Sequence, residues 1–240
     1  MNKRFFAWAL GTMCSMAVFA PSVAFAQTGE FITSFDVRAS LTSDRQLIVT
    51  EQIAYDFGKN QKHGIFRDIP VRYERNGASY NLRLKVQSVL MDNQSAPYDV
   101  QQRGDNVRIK IGDADELVTG KHTYAITYQT DRAINFFDGE AELYWNVTGN
   151  DWEVPIGSTS FLLTGPDGFS AQDARTTCFT GAFGSTASSC TVSGTDVRVT
   201  AKTTAPLAPG EGLTVAVRFS PGLIAEPTLA ERVWGFVFDN

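Results

Sequence analysis

This chain of 240 residues is poor in the side chains from which many catalytic centres are built, with two histidines, three cysteines and no His-Glu-x-x-His pair. A glycine-rich phosphate loop and a serine nucleophile elbow are equally missing. No metal site and no cofactor is expected. Positive charge is also short, with 21 Lys plus Arg against 26 Asp plus Glu and a formal net charge of −5. A nucleic-acid binder or a polybasic membrane patch needs a basic face, which this balance does not provide. No long Pro- or Ser-rich linker and no internal repeat divides the sequence.

A long apolar run occurs at the N-terminus. Lys3 and Arg4 precede an apolar stretch from Phe5 to Phe19, and Ala24-Phe25-Ala26 puts small residues where a signal peptidase reads them. A spanning helix needs about 20 apolar residues, and Pro21 interrupts this one first. The layout predicts a secretory signal over residues 1–26, cut between Ala26 and Gln27, rather than an uncut anchor. Gly11-Thr12-Met13 before Cys14 does not make a lipid-modification signal. Cleavage removes two cations and no acid, leaving 19 Lys plus Arg against 26 acids and a charge of −7. The expected location is exported, periplasmic or otherwise extracytoplasmic.

Cys178 and Cys190 are then the remaining cysteines, separated by a Gly- and Ser-rich stretch. With no histidine or third cysteine nearby, a disulfide across a hairpin is expected, worth ~3 kcal/mol by loop entropy.

The rest reads as strands. Leu47, Val49, Ile53, Tyr55 and Phe57 alternate, broken only by Glu51; Leu84 with Val86, Ile109, Ile126, and Val215 with Val217 continue the pattern. Turn-formers such as Thr42-Ser43-Asp44 and Gly104-Asp105-Asn106 separate the segments. One apolar face per strand predicts an all-β fold, an antiparallel β-sandwich of immunoglobulin-like or related type over residues 27–225, with little helix beyond the signal and the tail. A seam falls near residue 156, at Pro155 to Ser158, where either one sandwich continues or a second begins. Residues 226–240 predict a short helix, with Leu229, Val233, Phe236 and Val237 on one face and too few residues to span a membrane. Its apolar side chains call for a partner in the sandwich, another subunit or the bilayer interface, and at most weak membrane contact is expected there.

Residues 135–156 interleave five aromatics with five carboxylates and hold no Lys, Arg or His. Asp138, Glu142 and Asp151 could flank a glycosidic bond while Trp145 and Trp152 stack on sugar rings; equally, the acids could decorate turns and the tryptophans anchor the core. His63, Arg67 and Asp68 form a second candidate ligand site. The alternative there is a turn at Gly64 followed by a strand whose Arg67 and Asp68 point to opposite faces and enter salt bridges. Asp113, Asp115, Glu116, Asn150 and Asp151 supply oxygen ligands without the register of a strong calcium loop.

Three segments resemble one bacterial family: HGIFRDIPVRY from His63, RIKIGDADELVTGKHTYAITYQTDRAINFFD from Arg108, and ELYWNVTGNDWEVPI from Glu142. With the Cys178–Cys190 stretch they look like the extracytoplasmic N-terminal part of predicted membrane proteins of the domain of unknown function 2207 (DUF2207) family. The resemblance implies a β-rich ectodomain in relatives that are anchored by membrane helices, and it carries no catalytic residue. The chain stops at Asn240, where relatives would enter a membrane helix, so it is expected to be either a soluble version or a truncated one. The expected function is a non-enzymatic binding or interaction domain of the cell envelope, with an envelope protein or a glycan as partner. A glycan-active hydrolase using carboxylates of residues 138–153 is the alternative.

Overall fold

The computed structural model describes residues 29–75, 78–137 and 139–239. The expected signal with Ala26 and Gln27, and the candidate acid Asp138, lie outside them. In chain order the strands are β1 (Phe31–Leu41), β2 (Leu47–Asp56), β3 (Ile65–Pro70), β4 (Arg72–Arg75), β5 (Ala78–Asn81), β6 (Arg83–Met91), β7 (Gln94–Ser95), β8 (Tyr98–Arg103) and β9 (Asn106–Ile111). There follow β10 (Lys121–Asp131), β11 (Ile134–Phe137), β12 (Glu140–Asn146), β13 (Thr159–Thr164), β14 (Arg175–Gly181), β15 (Cys190–Thr195), β16 (Arg198–Thr203), β17 (Gly212–Phe219) and the helix α1 (Leu229–Asp239).

The alternation read from sequence places these strands. Leu47, Val49, Glu51, Ile53 and Tyr55 of β2 are buried while their neighbours are not, and Tyr124, Ile126, Tyr128 and Thr130 of β10 repeat the pattern. An eight-stranded sheet runs β15-β16-β13-β1-β2-β10-β6-β7, and a four-stranded sheet runs β11-β12-β17-β14. A three-stranded sheet, β3-β9-β8, and the β4-β5 pair complete the all-β, sandwich-like arrangement. Pairing is antiparallel except between β1 and β13, which run parallel from Phe35↔Thr159 to Ser40↔Thr164. The stretch read as a seam is hydrogen-bonded along β1: Ile32 donates to Pro155 O and Phe35 to Ser158 O.

The buried faces form one apolar cluster from Ile32 to Ile224. Each fully buried Val, Leu, Ile or Phe in it contributes ~1.5–3 kcal/mol relative to exposure. Val49, Ile53, Ile109, Ile126, Val215 and Val217 are fully buried as expected. Leu84 and Val86 are a correction, since they are only half-buried against the cluster's margin. Their strand β6 lies next to the short edge strand β7, and a bulge in its pairing with β10 gives Val89 the inward position. Cys178 of β14 and Cys190 of β15 form the expected disulfide, joining an outer strand of the four-stranded sheet to an outer strand of the eight-stranded one.

Candidate functional site

Glu51, the residue that broke the alternation of β2, is fully buried and accounts for Arg67. The Arg67 guanidinium donates two hydrogen bonds to its carboxylate, Nε to Oε2 at 2.7 Å and Nη2 to Oε1 at 2.8 Å. Tyr128 Oη donates a third at 2.8 Å. The remaining guanidinium protons go to the carbonyls of Asp68, Thr148 and Val147. Burial disfavours charge on Arg67, but the adjacent Glu51 carboxylate outweighs it and its pKa stays raised. Burial and the negative Glu51 push the Tyr128 phenol well up, so it remains a donor.

The Asn146–Trp152 loop is built around this cation. Thr148 O accepts from both Arg67 Nη1 and Trp152 Nε1, and Thr148 Oγ1 accepts from Leu213 N. Gly149 has φ +76°, and a Cβ there would lie 2.9 Å from Arg67 Nη1, so the loop closes on the guanidinium only with glycine. The Phe35 ring lies beneath Arg67 at 5.3 Å and meets Trp152 edge-on at 5.9 Å.

Adjacent strand residues point apart, and the other candidates divide accordingly. Asp68 turns from Arg67 and takes a two-point contact from Arg108, with Nε to Oδ1 at 2.7 Å. His63 is exposed, its Nδ1 2.9 Å from Glu116 O. The structure therefore brings Arg67 together with Glu51 and Tyr128, and leaves His63 and the Asp68 carboxylate outside that group.

The acidic–aromatic stretch is the β11–β12 hairpin and the loop after it. Trp145 is buried, its Nε1 without a hydrogen-bond partner among the described residues, beside a cavity of about 140 Å³. Trp152 is buried as well, so neither indole forms an exposed stacking platform. On the outer face of the hairpin, Glu142 accepts from Arg218 Nε at 2.8 Å, and Glu140 pairs with Arg175 and with Arg218. Arg218 also lies 5.3 Å over the Phe137 ring. Asp151 accepts from Asn106 Nδ2 at 2.9 Å. These partners come from β14, β17 and β9, far along the chain, and nothing near the acids in sequence announces them.

A cleft of about 730 Å³ opens between α1, β11 and the β1–β2 turn. Two of its residues are non-glycines in the left-handed region, Arg45 at φ 69° and Arg132 at φ 65°, a conformation costing about 1–2 kcal/mol for an L-residue. Both reach α1. Arg45 donates to Glu231 Oε1 at 2.7 Å and to Ala225 O at 2.9 Å. The Arg132 guanidinium lies 4.4 Å over the Tyr80 ring and within 3.1 Å of a Cβ placed on Gly235. The helix is capped by Thr228 and Glu231, each side chain accepting from the other's backbone N–H. This capping box is legible in the sequence as Thr-x-x-Glu from Thr228 to Glu231. The hydrogen bonds from Thr228, with Arg45 beside them, hold the Glu231 carboxyl below its ordinary range. Leu229, Val233 and Val237 remain exposed on α1, while Trp234, also largely exposed, lines the cleft.

Among the described residues no three of His, Cys, Asp and Glu gather as metal ligands, and no helix is long and apolar enough to cross a membrane. The sequence profile described as "Predicted membrane protein (DUF2207) N-terminal domain" matches residues 31–219. A curated relative, Uncharacterized protein YciQ of Escherichia coli strain K12, is 31% identical over 156 residues, covering 61% of this chain and 25% of the relative. The chain thus spans about a quarter of that relative's length. Among solved structures, yeast LTA4 hydrolase in complex with Bestatin is similar with a TM-score of 0.52 at 10% identity, over 78% of this chain and 28% of that chain. Native yeast LTA4 hydrolase is similar with a TM-score of 0.50 at 10% identity, over 78% and 29%. At such identity the likeness is one of fold alone.

Proposed function

Because the chain belongs to the DUF2207 family of predicted membrane proteins, as its N-terminal domain, we propose that it acts as a non-enzymatic interaction module of the cell envelope, on the extracytoplasmic side. The observation that carries this reading is the engagement of the candidate acids. Glu140 and Glu142 of β12 each hold an arginine from a different strand, loop residue Asp151 holds Asn106 of β9, and the two tryptophans beside them are built into the core. A glycosidase needs two carboxyl groups facing one bond across an open site, one of them protonated. Here Glu140 and Glu142 brace a sheet instead. What remains for recognition is relief on the surface: Tyr144 and Phe137 on the outer hairpin, and the cleft under α1.

The test is to offer envelope glycans and isolated envelope fractions to the purified protein, measuring retention and turnover side by side. Saturable retention without product is the expected result. Product formation that disappears in Asp138→Asn or Asp151→Asn, with the fold intact by circular dichroism, would overturn the reading in favour of a glycan-active hydrolase.

A further inference from the structure

We propose that the cleft under α1, with the small chamber behind it, is a binding site for an uncharged saccharide. This rests on the envelope-module reading and deepens it, giving the module a ligand class and a place to hold it. Tyr80 and Arg132 line both the cleft of about 730 Å³ and the chamber of about 140 Å³, so their stacked side chains form the wall common to the two. Trp145 lines the chamber. It is 3% exposed, and its Nε1 is buried with no hydrogen-bond partner among the described residues. On the cleft side, Asp131 Oδ1 is buried without a partner among them too, while Oδ2 lies 3.8 Å from Arg83, too far for a hydrogen bond. A buried polar atom left unsatisfied costs stability, so each of these calls for a partner from outside the chain.

The two atoms need opposite partners. An indole N–H only donates, and a carboxylate oxygen only accepts. A hydroxyl group does both from one atom, and a saccharide carries several at short spacing. Inside the chamber the match is closer. Tyr73 lines it and donates its own proton to Pro70 O at 3.1 Å, which leaves the phenol oxygen as an acceptor. A ligand hydroxyl there can accept from Trp145 and donate to Tyr73, whereas a peptide carbonyl does only the first. The chamber has the volume of about five water molecules, enough for a hydroxymethyl group and too little for a stretch of peptide. The cleft outside is balanced in charge. Four arginines and four acids line it among the described residues, and Arg45 with Glu231 and Arg232 with Glu226 are ion pairs. Such walls set up no field for a charged ligand, while the rings of Phe136 and Phe137 offer apolar surface to the C–H side of a sugar. Its size falls within the range of small-molecule sites.

The experiment uses the full chain with isotope-labelled indoles and three neutral disaccharides, cellobiose, maltose and diacetylchitobiose. At millimolar sugar, at least one of them should shift the Trp145 Nε1–H resonance and slow its exchange with solvent. The Trp152 signal, whose N–H already donates to Thr148 O, should be unmoved. Trp145→Phe assigns the resonance and should weaken binding about three- to tenfold, the loss of one hydrogen bond. Should that core variant fail to fold, Asp131→Ala, at a side chain open to the cleft, should give a loss of similar size with the melting temperature unchanged. No shift with any of the three sugars, or exchange that none of them slows, means that the chamber holds water only and overturns the proposal. An equal shift caused by tetra-alanine assigns the cleft to polypeptide and overturns it as well. Retention on envelope fractions with no sugar effect at Trp145 would sink this inference and leave the module reading standing. Turnover of a sugar that does shift Trp145 would do the reverse.

Discussion

Two arginine–glutamate pairs of nearly the same length sit in opposite surroundings. Arg67 and Glu51 are 2.7 Å apart with side chains 1% and 0% exposed, whereas Arg218 and Glu142 are 2.8 Å apart with side chains 42% and 14% exposed. Distance does not separate them, but the fate of the atoms left over does. Around the first pair every remaining guanidinium proton meets a carbonyl and the Tyr128 phenol donates to the carboxylate, so removing one member strands a charge in the core. Around the second, water takes the place of a lost partner. The buried pair also organises chain that belongs to neither of its strands, because the Asn146–Trp152 loop closes on the guanidinium. The exposed pair joins only adjacent strands of one sheet.

The sharpest way to break this contrast is Arg67→Ala. A loss of about 3–5 kcal/mol is expected, seen as a lower denaturant midpoint, because Glu51 is left charged and buried. Should that variant fail to fold, Arg67→Met with Glu51→Leu separates charge from packing and should recover most of the stability. A loss under about 1 kcal/mol for Arg67→Ala would mean that water reaches Glu51 and that the two pairs are alike. The corresponding Arg218→Ala should cost only about 0.2–1 kcal/mol, shrinking further in salt. The smallest effect concerns a third pair, Arg45 with Glu231, which is half-exposed on the glutamate side. The folded-state pKa of Glu231 is lowered by the hydrogen bonds from Thr228 and by Arg45. Its contribution is thus fully present above the unfolded value of about 4.3 and is lost as pH falls through the lower folded value. Amide exchange in residues 229–235 should quicken below about pH 4 while the strands stay protected; unchanged exchange there would show that the carboxylate does not secure the helix.

Much of the architecture was legible because period two survives in β2, β10 and β17, and because Glu51 stood out within it. What could not be read was the partner. Arg67 meets Glu51 across sheets, and Asp68 meets Arg108 across a ladder, by topology that no local pattern encodes. The same holds for Glu140 and Glu142, whose arginines arrive from β14 and β17. Trp145 and Trp152 looked alike as core or as platform until the sheets were placed, since an aromatic side chain serves either end. In the tail, the face of α1 was readable from its spacing, but its direction was not. Periodicity says which residues share a side and is silent about which side the domain holds.

The parallel contact between β1 and β13 sets a schedule for the chain. Its first strand lies in the middle of the large sheet, with β2 on one side and β13 on the other. The second neighbour is Thr159–Thr164, so β1 can find one partner at once and must wait for most of the sequence to meet the other. In that interval one edge of β1 is open, and open edges recruit the wrong strands. Contacts so distant in sequence make for slow folding, on the order of milliseconds to seconds for β topologies. A chain emerging N-terminus first thus spends its growth with three of the eight strands of its largest sheet unbuilt, and it is in that period that mispairing and proteolysis threaten it most.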